Sequence, residues 1–240
     1  MDRRTFVRLA AVSAGGAVAG CIGGEDSNTV FDEPYIEDAN PEALAYPAHG
    51  EKLPDVSLPA PLQDKNMSTA AFVGERETLL TFIYTRCPGP CPGMTAALAH
   101  VHVDAAKEGY SDEVALMPTT FDPEYDDTER LRKFSKQNGA DPTAENWVIL
   151  RPESSERADE VINGEFGVGF EAYEKADGKG HGGHNSSQGE PLNPDEGDTD
   201  FTHVNLVLLA NRDGYIERAY QEVPRPDKLL SDLKTVRNGY

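Results

Sequence analysis

Thr78-Leu79-Leu80-Thr81-Phe82-Ile83-Tyr84 runs straight into Thr85-Arg86-Cys87-Pro88-Gly89-Pro90-Cys91-Pro92. The first half is apolar and rich in β-branched and aromatic residues, as a buried strand requires. Residues 94–107 follow, alanine-rich and helical in pattern. Two thiols therefore stand at a strand-to-helix junction. A thiolate is both a nucleophile and a soft-metal ligand, and a helix N-terminus stabilises its charge. A reactive or metal-binding pair is the reading this placement favours, with a structural disulfide as the plain alternative.

The prolines restrict the loop further. Cys87, Gly89 and Cys91 each precede a proline, and a residue in that position is pushed out of helical geometry. Proline is well tolerated at the first helical position. Cys91 is thus the expected cap residue and Pro92 the first residue of the helix, with Cys87 in a stiff loop ahead of it.

Beyond the helix the chain alternates. Residues 113–121 form an expected strand whose pairing Pro118 limits, and residues 126–138 a surface helix closed by Gly139. Residues 147–150 are a short buried strand and 154–163 a helix. A polar, glycine-rich stretch spans 176–200, and strands at 203–210 and 215–221 then flank the turn signal Asp213-Gly214. A closing helix is expected over 226–236. This order describes an α/β domain: a thioredoxin-like fold with a central mixed sheet, helices on both faces, and an insertion before the C-terminal hairpin.

The N-terminus reads as a processing segment covering residues 1–24. Arg3-Arg4-Thr5-Phe6-Val7-Arg8 is a twin-arginine export motif, followed by an apolar run too short to span a bilayer. Val18-Ala19-Gly20-Cys21 resembles a lipobox, with Cys21 as the lipid-modified first residue of the mature chain. The chain is then expected to be exported and anchored at the outer face of the cell membrane as a lipoprotein. Residues 25–48, acidic and proline-containing, read as a tether, and residues 49–240 as the folded domain. With Cys21 lipidated, the only mature thiols are Cys87 and Cys91.

The charge is lopsided: 22 basic against 42 acidic residues, a net of −20. The excess is spread over the domain, which argues against nucleic acid as a partner and resembles proteins adapted to high salt.

Among six histidines, His203 stands where the polar insertion becomes a strand. Alternation puts it on one face with Asn205, Val207 and Leu209. At the mouth of a central strand it can reach the cysteine loop. His181 and His184 read as part of a solvated loop, and His100 and His102 point to different sides of their helix. Met67, Met94 and Met117 have no repeated spacing and read as packing residues.

Taken in order, Cys87-Pro-Gly-Pro-Cys91-Pro, Phe121-Asp122-Pro123-Glu124 and Asp200-Phe201-Thr202-His203 resemble the Sco/SenC family over residues 50–238. That resemblance implies a membrane-anchored, thioredoxin-fold copper protein that helps assemble the dinuclear copper centre of terminal haem–copper oxidases. It implies Cys87, Cys91 and His203 as copper ligands. The implied partners are the copper-centre subunit of the oxidase and an upstream copper donor. Two departures stand out: Tyr125-Asp126-Asp127-Thr128 carries one residue more than the family pattern, and Val204 replaces a small hydroxyl residue after the histidine. Two thiolates and an imidazole suit Cu(I), and Cu(II) with an added ligand. Zinc accepts the same donors, but structural zinc usually takes four. Asp122 and Asp200 are candidates for supporting the site from behind, for instance by orienting His203.

The competing reading is a thiol–disulfide oxidoreductase acting on cysteines of the oxidase subunit or of other exported proteins. Against a general oxidoreductase, the two cysteines are separated by three residues rather than two. The proline nearest before His203 is Pro194, so no substrate-facing proline is evident. Peroxide reduction leaves His203 without a role.

Overall fold

The computed structural model describes residues 28–32, 44–174 and 199–239. At its centre β3 (Glu77–Ile83) pairs in parallel with β4 (Val114–Thr120) and antiparallel with β7 (Val207–Ala210); β8 (Ile216–Tyr220) completes the order β4-β3-β7-β8. Every residue of β3 and β4 is buried. A strand covered on both faces reads as a continuous apolar run, which is why 78–84 stood out.

α1 (Pro90–Glu108) and α4 (Pro226–Asn238) pack together on one face of this sheet. On the other face Phe82 meets Phe166 edge-on, with ring centroids 5.1 Å apart. Phe166 closes a π-helical turn, Asp159–Glu165, that continues the short α3 (Ser155–Ala158). α2 (Thr128–Gln137) lies at the sheet's flank, where Ser135 Oγ accepts the Trp147 indole N–H. A small antiparallel pair, β1 (Ser57–Ala60) with β2 (Lys65–Ser68), precedes the core. No helix among the described residues is long and apolar enough to cross a membrane.

Pro118 behaves as its chemistry demands. β4 keeps full register with β3, Thr81 opposite Pro118. On its other side β4 meets residues 147–150 only through bridges at Leu116–Trp147 and Thr119–Leu150. The amides of Leu116 and Thr120 donate toward that segment; by parity the missing N–H of Pro118 falls between them. The expected strand is therefore a buried ribbon with an interrupted ladder.

Several boundaries move. α1 begins at Pro90 with Gly89 as its cap, so Cys91 and Pro92 lie inside the first turn rather than at its threshold. The first N–H groups of a helix have no acceptor within it, so both prolines fit there. α2 begins at Thr128 with Asp127 accepting from Arg130 N; Asp126, expected inside the helix, is instead buried ahead of it.

The strand expected over 203–210 is two strands. β6 (Thr199–His203) pairs with β5 (Phe170–Glu174), and the chain leaves strand geometry at 204–206 before β7. The shared face proposed for His203 and Leu209 is thereby lost. The insertion before the C-terminal hairpin is bracketed by this β5–β6 pair, with His181 and His184 outside the described residues. The hairpin itself turns at Asn211, whose side chain accepts from Tyr215 N, and at Gly214 with φ +80°.

The twin-arginine motif and Cys21 lie outside the described residues. Of the stretch read as a tether, residues 28–32 contact β8, and Tyr46 and Ala48 are buried against the domain.

Candidate metal centre

β3 delivers the chain to the motif, and the β4–α2 loop holds it there. The Thr85 amide donates to both oxygens of Asp126 at 3.3 and 3.1 Å. The hydroxyls of Thr85 and Thr120 also donate to that carboxylate. Next along the chain, Arg86 Nε donates to Asp122 Oδ2 at 2.8 Å. Cys87 N then closes a turn onto Tyr84 O. Two carboxylates from one loop thus fix the two residues that precede Cys87.

Both thiols are free and buried, Cys87 7 % exposed and Cys91 0 %. Gly89 N donates to Cys87 Sγ at 3.4 Å. His203 arrives from β6, with Nε2 3.8 Å from Cys91 Sγ. Its ring is packed by Phe121, centroids 5.1 Å apart, and by Tyr84 at 5.8 Å. Phe201, two residues earlier on β6, adds to the same aromatic wall, 5.1 Å from Tyr84.

Ligand atoms of Cys87, Cys91 and His203 all lie within 4.8 Å of one another. Donors about 2.0–2.3 Å from a common ion stand about 4 Å apart, so the three need close by no more than about 1 Å. The donors match a soft ion.

The two sulfurs differ electrostatically. The Cys87 thiol is held well below the usual cysteine value, chiefly by the Cys91 thiol donating to its sulfur and then by His203. Cys91 is pushed up, chiefly by burial and then by Cys87 beside it. Of the two, Cys87 is the sulfur that gives up its proton more readily.

Asp122 lies beside the motif as expected, but its partner is Arg86 rather than the His203 ring. His203 Nδ1 is buried with no hydrogen-bond partner among the described residues, so aromatic packing orients the ring. Asp200 lies in β6 opposite Tyr173; its side chain is outside the described residues. His100 is exposed, while His102 is buried and bonded to Asn146 at 3.0 Å, so the two form no site. Met94 and Met117 are core residues.

Asp126, Thr85 and the Tyr84–Phe121–Phe201 wall were not anticipated. The alternation Phe166, Val168, Phe170, Ala172 signals a strand at β5; nothing in Asp126-Asp127 says which carboxylate caps the helix and which is buried.

The chain is similar in sequence and in fold to Sco proteins. A SCO1 protein homolog of Bacillus subtilis (strain 168) is 26 % identical over 173 residues, covering 71 % of this chain and 76 % of that protein. A SCO1/SenC family lipoprotein from Bacillus anthracis has the same fold, with TM-score 0.56 and 20 % identity over 78 % of this chain and 95 % of that one. Arabidopsis thaliana ScoI, solved with copper bound, gives TM-score 0.56 and 20 % identity over 77 % and 98 %. BsSco, described as a Sco-family cytochrome c oxidase assembly protein with a disulfide switch, gives 0.53 and 21 % over 79 % and 95 %. The SCO1/SenC family model matches residues 62–238, a span that takes in both cysteines, the β4–α2 loop and His203, and the chain belongs to that family.

Proposed function

We propose that this protein binds one copper ion through Cys87 Sγ, Cys91 Sγ and His203 Nε2. It delivers that ion to the copper-centre subunit of a terminal haem–copper oxidase. Copper is cargo here, received from an upstream donor and passed on. The observation that carries the reading is the cluster of two thiols and one imidazole within 4.8 Å. It is supported by the copper held in the Arabidopsis relative and by the oxidase-assembly role stated for BsSco. Lipidated Cys21 places this transfer at the outer face of the cell membrane.

Copper titration of the fully reduced protein tests the assignment. Wild type is expected to take up one equivalent and, as Cu(II), to show a thiolate-to-copper charge-transfer band. Alanine at Cys87 or Cys91 abolishes the band. His203→Ala weakens binding by more than the roughly 10–100-fold typical of losing a group behind a ligand. Unchanged stoichiometry and spectrum in the cysteine variants would sink the reading.

A second reading is thiol–disulfide exchange with the oxidase subunit. It is favoured by two neighbouring free thiols of unequal burial, and by the disulfide switch described for BsSco. Reduction of a disulfide-bonded subunit peptide by the metal-free dithiol, retained in His203→Ala when copper uptake is lost, distinguishes it from copper delivery.

A further inference from the structure

Glu217 is a charged residue with 0 % exposure on the edge strand β8. Its carboxylate receives the backbone of a distant segment. Val30 N donates to Oε1 at 2.9 Å and to Oε2 at 3.1 Å, and Phe31 N to Oε2 at 2.9 Å. Asn211 Nδ2 donates to the same carboxylate at 2.6 Å and to Asn28 O at 2.8 Å.

The segment is gripped from other sides as well. The Arg218 guanidinium lies 3.7 Å from the centre of the Phe31 ring and donates to Asp32 O at 3.3 Å. His49 Nε2 is 2.9 Å from Phe31 O. Val30 presses on the end of α4, where a side chain at Gly239 would come within 2.5 Å of a Val30 methyl.

A buried carboxylate is costly unless hydrogen-bonded. In this strongly acidic chain Glu217 is satisfied by Asn211 and by the two amides of residues 30 and 31. Those residues belong to the stretch that leads to Cys21, and only residues 22–27 separate Cys21 from Asn28. Seven extended residue steps reach about 25 Å; a chain free as far as residue 44 would reach about 80 Å.

The grip also lies at a defined end of the sheet. Arg218 stands opposite Leu209, and Leu209 opposite Leu79, near the start of β3. The cysteines follow the other end of β3, about 17 Å further along the strand.

We propose that residues 28–32 are a clip, docked on Glu217, that holds the domain close to the bilayer with the Cys87–Cys91–His203 end turned outward. A free tether would leave both height and facing unfixed. The inference rests on the lipid anchor at Cys21 and adds what the anchor alone does not supply, an orientation for the metal centre.

The lipidated full-length protein in phosphatidylglycerol vesicles carrying a dansyl lipid tests it. Trp147 is the single tryptophan and bridges to Leu116 at the same sheet end as the clip. Its energy transfer to the dansyl lipid is expected to fall by at least half in Glu217→Ala and in Val30→Pro. Val30→Pro removes one clip amide without touching the core. Both variants should keep wild-type copper uptake.

Hydrogen exchange reads the clip separately: the Val30 and Phe31 amides are expected to be protected in wild type and to exchange freely in Glu217→Ala. Free exchange in wild type overturns the clip whatever the anchor. Protected amides with equal energy transfer in all three proteins overturn its role in orientation. Protected amides in a chain that carries no lipid overturn the orientation through failure of the anchor, leaving the clip on β8 standing.

Discussion

The Asp126 carboxylate accepts both the amide and the hydroxyl of Thr85, two residues before Cys87. It is 0 % exposed and lies 41 positions beyond Thr85, in the loop after β4. Through this contact the departure of the metal loop from β3 depends on the β4–α2 connection.

Asp126 imposes a pH dependence of known sign. Burial raises its pKa to about 6, against hydrogen bonds from Thr120 and Thr85 that oppose the shift. A carboxyl with a raised folded pKa takes up its proton in the folded state first. The cost of its ionised form is present above pH 6 and is relieved as pH falls toward the unfolded value near 4. At neutral pH that cost is about 2–3 kcal/mol. Urea melts of Asp126→Asn and wild type between pH 4 and pH 7 should diverge through this window, wild type losing stability with rising pH relative to the variant. Parallel profiles would show that Asp126 is not the titrating group. Asp126→Ala, which leaves the Thr85 amide and two hydroxyls without their acceptor, should destabilise by about 3 kcal/mol at pH 4, where the wild-type carboxyl is protonated, and by less at pH 7.

Oxidation of Cys87 and Cys91 to a disulfide is expected to abolish copper binding and leave the fold intact. The sulfurs cannot be a disulfide and two ligands together, and a disulfide leaves the buried strands β3, β4 and β7 in place. Metal analysis with thiol counting, alongside far-UV circular dichroism, checks both halves. Copper retained by the oxidised protein would refute the ligand set.

Cys21→Ser is expected to release the protein from the membrane fraction without altering copper uptake by the domain. The expectation rests on the resemblance of Val18-Ala19-Gly20-Cys21 to a lipobox. A mature Cys21→Ser protein that still sediments with membranes would count against the anchor.

The acidic excess predicts salt dependence. Charges on a chain of net −20 interact over about 10 Å at 0.1 M salt but about 3 Å at 1 M. The melting temperature of the soluble domain should rise between these conditions and recover on return to high salt. A flat melting temperature would mean that the acidic surface is not a salt adaptation.

The apolar run 78–84, the alanine-rich helix and the Asp213-Gly214 turn were readable because each is set by local chemistry: burial on both sheet faces, helix propensity, a glycine with positive φ. The order of those elements already implied the sheet and put Cys87 and Cys91 at the head of α1. Periodicity could not divide 203–210 into two strands, since the break at 204–206 depends on β5 drawing His203 into a separate pairing. Nor could it separate Asp126 from Asp127, adjacent carboxylates of equal propensity. One caps a helix and the other is buried because Thr85, in the turn after β3, and Thr120, at the end of β4, converge there. Acidic composition alone made residues 28–32 look like free tether; a carboxylate 187 positions from Val30 holds them to β8. Backbone conformation and turn chemistry are written in neighbouring residues, whereas the partner of a buried charge is set by which distant segments the sheet brings together.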